Sequence, residues 1–508
     1  MKKTICFALV IFFILIIVCT DHELLAQTDT ERIKRIEAAI PVIDELYRNF
    51  ATKNHFPGFV YGLVIDGELI HTGNFGYSNL TEKISANNKS GFRIASMTKS
   101  FTAMAILKLR DENRLYLDDP VYKYIPEMKG QNYLTKDAPD ITIRHLLTHS
   151  AGFPEDNPWG DRQLAVPDEE LVEMISKSIS FSNVPGLGYE YSNLGFAILG
   201  YIIKKVSGQS YSDYITDKIL KPLGMMHTFF EYSRIPANEL ALGYRWSGNQ
   251  WIEQPLLHDG AFGAMGGMIT SIEDFSKYVS MHLSAWPPRN DQEINPVTRS
   301  SLREMQFPWN ISSFNPQYRY PGGRLCPTVS AYSYGLRWVK DCEGRILIGH
   351  SGGLPGFGSN WEILPYYGIG IISFSNLTYA PVSYINMQAL DTLIILAKLE
   401  PKQLSVPAIL DLRKEELINL LPEWKNPEAT NIFAGNFFLD YFPDSLHNEA
   451  IKIFSKAGDI IKIHELIPEN NLRGSFIIEG KNSDIKISFT LTPENPPLIQ
   501  EYNIREIK

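Results

Sequence analysis

The stretch IASMTKSFTAMAI, residues 94–106, places Ser96 three residues ahead of Lys99 at the head of an apolar run. A serine hydroxyl is a weak nucleophile until a neighbouring base takes its proton. On a helix, residues three apart share a face, so Ser96 and Lys99 can meet there. Residues 96–114 contain no Gly or Pro and read as such a helix, apolar nearly all round at its start and therefore buried. Unpaired N–H groups at its N-terminus favour negative charge developing on Ser96. Burial pushes Lys99 toward the neutral form that accepts a proton. The same spacing also suits a capping serine and a snorkelling lysine with no chemistry. A second Ser-x-x-Lys, Ser483 to Lys486, opens the alternating run IKISFTL. On a strand an odd offset sends two side chains to opposite faces, so only the first pair can form a dyad.

With 508 residues, the chain is long enough for two or more domains. Its 44% hydrophobic and 21% charged residues are those of a folded protein. A net charge of −9 and the absence of a long basic run argue against a nucleic-acid partner. Met1-Lys2-Lys3, an apolar run from Ile5 to Val18 and Leu24-Leu25-Ala26 read as an export signal over residues 1–26, giving a periplasmic or extracellular protein. An uncleaved anchor, which would tie the chain to the membrane, and lipid attachment at Cys19 are the alternatives. Outside this leader stand Cys326 and Cys342, either a disulfide or two buried thiols. Two cysteines sixteen residues apart, without a CxxC pair, do not make a zinc site.

The order of elements indicates an α+β fold. Residues 30–50 carry a helical apolar period, and GFVYGLVIDGELIHTGNFGYSN reads as a hairpin turning at Asp66-Gly67. A largely helical middle follows, with GFAILGYIIKKVSG as a second buried helix. RILIGHSGG and NWEILPYYGIGIISFSN then read as strands, so an antiparallel sheet assembles from both ends of residues 27–400, flanked by helices and a helical subdomain. Beyond Pro401 and Pro407 the chain alternates at period two, in Ile451-x-Ile453, Ile461-x-Ile463 and Ile485-x-Ile487-x-Phe489-x-Leu491. Residues 401–508 thus read as a linker and a small all-β domain.

FRIASMTKSFTAMAI resembles the first motif of the serine β-lactamase-like and penicillin-binding-protein-like hydrolases, especially the class C, D-aminopeptidase and esterase branch. LDDPVYKYIP, ITIRHLLTHSAGFP, PGLGYEYSNLGFAILG, KPLGM, GAMGGMITSIEDFSKY and GHSGGLPGFGSNW continue the likeness in order, over roughly residues 30–380. The family's Tyr-x-Asn motif falls on Tyr191-Ser192-Asn193; Tyr47 and Tyr77 open the same pattern at positions that read as structural. The resemblance implies that Tyr191 and Lys99 share one proton, with the phenolate favoured beside an ammonium, and that Asn193 binds Lys99 and substrate. The third motif, usually Lys-Thr-Gly, falls on His350-Ser351-Gly352, where a permanent cation is replaced by an imidazole mostly neutral near pH 7. Gly353 would complete an oxyanion hole with the N–H of Ser96. The implied reaction is acyl transfer through Ser96 on an amide or ester carbonyl, the expected substrate being a D-amino peptide or an ester, with peptidoglycan-derived peptides and β-lactams as alternatives, without metal or cofactor.

Two rival chemistries lie in the same sequence. Gly349-His350-Ser351-Gly352-Gly353 satisfies G-x-S-x-G, the strand-to-helix nucleophile elbow, but the Gly- and Pro-rich sequence after it does not suit a helix. His145 and His149 have metal spacing yet lack a metalloprotease glutamate, and read as structural. An inactive receptor of the same fold is the reading from a different class.

Overall fold

The computed structural model describes residues 30–293, 296–402 and 404–507. The leader expected as an export signal, with Cys19, lies outside them. The chain divides into two compact units at Glu400/Pro401.

The first unit opens with helix α1 (30–53), followed by the hairpin β1 (Gly58–Ile65) and β2 (Glu68–Asn79), the short β3 (Ile84–Ser85) and β4 (Phe92–Arg93). A 3-10 turn, Ala95–Met97, then delivers the chain into α2 (Thr98–Asp111). The helical region carries α3 (Ile143–Leu147), α4 (Asn157–Gly160), α5 (Asp168–Ser176), α6 (Asn193–Ser207) and α7 (Tyr211–Ile215). The hairpin β5 (Tyr244–Ser247) and β6 (Gln250–Glu253), α8 (Gly263–Gly266), β7 (Ile269–Thr270), α9 (Ile272–Leu283) and α10 (Arg299–Gln306) lead back to the sheet. Its remaining strands are β8 (Asn310–Asn315), β9 (Thr328–Tyr332), β10 (Arg337–Lys340), β11 (Ile346–Leu354), β12 (Phe357–Leu364) and β13 (Ile369–Ser375), and α11 (Val382–Leu396) closes the unit. Strand order is β3-β2-β1-β13-β12-β11-β10-β9-β8, antiparallel throughout, so β1 pairs β13 across the seam between early and late sequence.

Both faces of this sheet are covered at its centre, which the side-chain alternation of β1 makes visible. Phe59, Tyr61, Leu63 and Ile65 pack with Ile36, Ile43 and Tyr47 of α1 and Ile385 and Leu393 of α11. Val60 and Val64 turn the other way, into the larger core with Phe101 of α2 and Phe275 of α9. A strand buried on both faces reads as a near-continuous apolar run, as GFVYGLVI does. Cys326 and Cys342 are joined in a disulfide.

The second unit carries the expected antiparallel sheet, β14 (Ile460–Ile463), β15 (Ile467–Asn470), β16 (Arg473–Gly480), β17 (Asp484–Leu491) and β18 (Ile499–Ile507). It is not all-β, however: α12 (Ala408–Leu420), α13 (Phe437–Asp440) and α14 (Pro443–Ala457) precede the sheet. Ile451-x-Ile453, expected as a strand, lies inside α14. There Leu446, Ala450 and Ala457 are buried four and seven residues apart, the helical period. In β17, Ile485, Ile487, Phe489 and Leu491 face inward. Ser483 precedes that strand and Lys486 lies between buried positions, so this second Ser-x-x-Lys is a strand edge.

Candidate active site

Ser96 occupies the 3-10 turn at the entry to α2 rather than the α-helix itself. Its neighbour Ala95 has φ 49°, a left-handed conformation that a residue with a Cβ adopts only under local constraint. This turn presents Ser96 at the edge of the buried core with 7% of its surface exposed, while Lys99 one turn later is fully enclosed. Lys99 Nζ stands 3.0 Å from Ser96 Oγ, 2.7 Å from Asn193 Oδ1 and 2.9 Å from the Met265 carbonyl, and 4.9 Å from the centre of the Tyr191 ring. Burial pulls the Lys99 ammonium down to about 7, against the opposing pull of Asp161 and Asp156.

Tyr191 and Asn193 arrive on the strand-like lead-in and first turn of α6. Asp156, 37 residues upstream, fixes that helix start: its carboxylate accepts the N–H groups of Asn193 at 2.6 Å and Leu194 at 2.9 Å. The Ser192 side chain accepts the Gly195 N–H as the N-cap. A helix N-terminus has spare donors, and a carboxylate satisfies them most strongly.

The expected sharing of charge is corrected in one respect. Burial pushes the Tyr191 phenol up, with a hydrogen bond to Ser96 and the nearby Arg337 only partly offsetting it. The phenolate is therefore not the favoured form, and Lys99 is the group poised near neutrality. Desolvation of both partners outweighs the attraction an exposed tyrosinate and ammonium would feel.

His350 sits in β11 at 1% exposure, held well below the usual histidine range chiefly by burial and then by Arg337 and Lys99. A carbonyl oxygen only accepts, so the 2.5 Å contact to the Ser351 carbonyl assigns the proton to Nδ1. Nε2 then accepts the Tyr332 hydroxyl at 2.9 Å. The imidazole is neutral and its polar atoms are committed within the protein. Gly352 brings β11 against the serine turn: a Cβ there would lie 2.2 Å from the Ile94 carbonyl oxygen and 2.4 Å from Ser359 Oγ. Gly353 faces the opposite way, toward the Tyr379 ring. β11 runs through a turn into β12, with no helix after Ser351, which removes the nucleophile-elbow geometry.

The structure thus brings Ser96, Lys99, Tyr191, Asn193, His350 and Gly352 close together, with Gly353 next along β11. It adds residues that local sequence did not single out: Asp156, Asp161, Tyr332, Arg337 and Tyr379. Asp161, raised to about 6 by burial, accepts the Tyr379 hydroxyl at 3.0 Å. His149 proves to be a site neighbour, its ring 4.3 Å from those of Tyr191 and Tyr332 and its Nδ1 accepting the Ser192 N–H. His145 closes a capping box with Thr142 at α3. Apart from that capping box, none of these contacts carries a short-range sequence signal, because each joins segments many residues apart. Among the described residues no group of His, Cys, Asp or Glu is placed to hold a metal.

Residues 43–394 match the family model described as Beta-lactamase, and the chain belongs to that family. Protein flp of Staphylococcus aureus is 30% identical over 357 residues, covering 68% of this chain and 66%, just under two thirds, of that protein. Penicillin-binding protein 4* of Bacillus subtilis is 29% identical over 329 residues, covering 62% of this chain and 67% of that one. Among solved structures, the octameric penicillin-binding protein homologue from Pyrococcus abyssi superposes with TM-score 0.57 at 24% identity, over 92% of this chain and 99% of that one. A class C beta-lactamase gives 0.55 at 18% identity, over 70% and 94%. At these identities the structures speak to the fold, and the fold is the one expected, a large antiparallel sheet with helices and a separate sheet-bearing unit.

Proposed function

We propose that the protein is a serine hydrolase that forms an acyl-enzyme on Ser96, with D-amino peptides or esters as its substrate class. The observation that carries this reading is the 3.0 Å approach of Lys99 Nζ to Ser96 Oγ inside a dry enclosure. Neutral Lys99 takes the Ser96 proton, and Oγ attacks the substrate carbonyl carbon. The N–H groups of Ser96 and Gly353 receive the resulting oxyanion. The proton passes by way of Lys99 and the Tyr191 hydroxyl to the leaving nitrogen or oxygen as the carbonyl re-forms. Water, deprotonated by the same pair, then releases the acyl group. Asn193 holds Lys99 and one edge of the acyl chain.

The substrate preference rests on His350. A neutral, internally bonded imidazole offers no cation at the third motif itself, the nearest guanidinium being Arg337, 5.9 Å from the Tyr191 ring centre; substrates gripped by a carboxylate at that motif, cephalosporins among them, should turn over poorly. The Cys326–Cys342 disulfide supports reading the leader as an export signal, since such bonds persist in oxidising compartments. The test is covalent labelling by a fluorophosphonate, followed by turnover of one ester, one D-amino peptide and one cephalosporin. Labelling of wild type but not of Ser96→Ala, with the ester or peptide the better substrate, is the expected result. An unlabelled wild type would instead favour a binding protein of this fold, and efficient cephalosporin hydrolysis would overturn the weight placed on His350.

A further inference from the structure

A second cavity, of about 550 Å³, lies between the C-terminal end of α10, strands β10 and β11, and the turn after β12. None of Ser96, Lys99, Tyr191 or His350 lines it. Its walls are Trp286, Trp309, Trp338 and Ile348, with Phe307 and Tyr366 exposed at the mouth. The volume is that of a small-molecule site, and the surface is almost wholly apolar.

What makes the lining informative is how its polar atoms are already spent. The Trp286 indole N–H donates to Gln306 Oε1 at 2.7 Å and the Trp309 N–H to the Glu304 carbonyl at 2.9 Å. The Gln306 amide nitrogen lies 3.2 Å from the His282 carbonyl, and the Glu304 carboxylate is held by Arg110 at 2.5 Å. A sugar or a peptide entering here would lose its water and find few partners. Among the lining side chains Arg303 is the one cation. Arg303 donates through one nitrogen to the Ala285 carbonyl at 2.8 Å, and makes no ion pair among the described residues. Its guanidinium rests 5.9 Å from the Trp286 ring centre, beside the cavity. An apolar volume with a single carboxylate-free cation beside it matches a molecule with an aliphatic tail and one negative head.

We propose that this cavity binds a single-chain anionic amphiphile of the fatty-acid type, tail among the tryptophans and carboxylate on Arg303. Affinity then rises roughly threefold to fourfold per added methylene until the cavity is filled. The three lining tryptophans supply their own signal. Octanoate, decanoate and dodecanoate, each below its micellar concentration, are titrated into the full chain by tryptophan fluorescence, with native mass spectrometry for stoichiometry and dodecanol as the uncharged control. Saturable one-to-one binding that strengthens with chain length is expected. Phe307→Asp, an exposed substitution that sets a carboxylate at the mouth, should weaken dodecanoate at least tenfold. Arg303→Gln should weaken dodecanoate severalfold and leave dodecanol unchanged. Unsaturable binding, or wild-type affinity in both variants, would overturn the site, and equal effects of Arg303→Gln on acid and alcohol would overturn the head-group assignment. A fluorescence change that follows protein concentration without ligand would mean that a second copy covers this face, and would likewise sink the proposal. Fluorophosphonate labelling of Ser96 in the same variants controls for folding.

Discussion

The Tyr332 hydroxyl donates to Nε2 of His350 at 2.9 Å, and this bond decides what the third motif can offer a substrate. With Nδ1 already turned to the Ser351 carbonyl, the ring has no free atom to present. Tyr332→Phe removes the donor and leaves a buried acceptor unpaired, a loss of about 1–3 kcal/mol. Chemical denaturation should show it as a lower midpoint with an unchanged slope, while Ser96 labelling survives within a few fold.

The rate of Ser96 acylation should follow the neutral form of Lys99. With that group drawn down to about 7, the rate climbs tenfold per pH unit below this value and levels off above it. Stability carries the matching sign. An unfolded lysine titrates near pH ~10.4. Between pH ~7 and pH ~10 the unfolded chain therefore holds a proton that the fold refuses, and this group makes the fold more stable as pH rises through that window. Lys99→Met should remove both dependences and slow acylation by about 10² to 10⁴. A labelling rate flat from pH 5 to 9 in the wild type would contradict the assignment.

Gly352 and Gly353, adjacent in β11, should respond unequally to alanine. At Gly352 the added methyl meets the Ile94 carbonyl and Ser359, neither able to retreat without moving the serine turn. Labelling should fall at least about a hundredfold, because displacement on the order of 1 Å is enough to lose that much. At Gly353 the methyl meets the half-exposed Tyr379 ring, which can swing aside. Labelling there should stay within about tenfold. Circular dichroism on both variants separates misfolding from misalignment.

Asp156→Ala strips two N–H partners from the first turn of α6. A lost cap of this kind lowers stability by about 1–2 kcal/mol. Because the same turn carries Asn193, labelling should slow together with the fall in melting temperature. Asp156→Asn, which keeps an accepting oxygen, should restore part of both.

The core of the site was legible because its chemistry is local. Ser96 and Lys99 declare themselves by helical phase, and the phase argument also dismisses Ser483, which the structure puts ahead of β17. Tyr191, Asn193 and His350 came through family-like motifs rather than through spacing. Asp156, Asp161, Tyr332 and Tyr379 were not legible, since a carboxylate that caps a helix 37 residues later looks like any loop acid. The Tyr191 phenolate was misjudged because desolvation is invisible in a sequence, while the charge of a neighbour is not. In the second unit, two isoleucines at an offset of two fit a strand as well as one side of a helix. Only the longer pattern with Leu446, Ala450 and Ala457 separates them.

The pairing of β1 with β13 has a temporal meaning. The Ser375 hydroxyl reaches the Gly58 carbonyl across 317 positions of sequence. At ribosomal speeds of about 5–20 residues per second, β1 waits tens of seconds for its central neighbour. Ser96 and Lys99 are made early, yet β11, which carries His350 and Gly353, emerges roughly 250 residues later. A nascent or truncated chain therefore holds the serine without the strand that faces it.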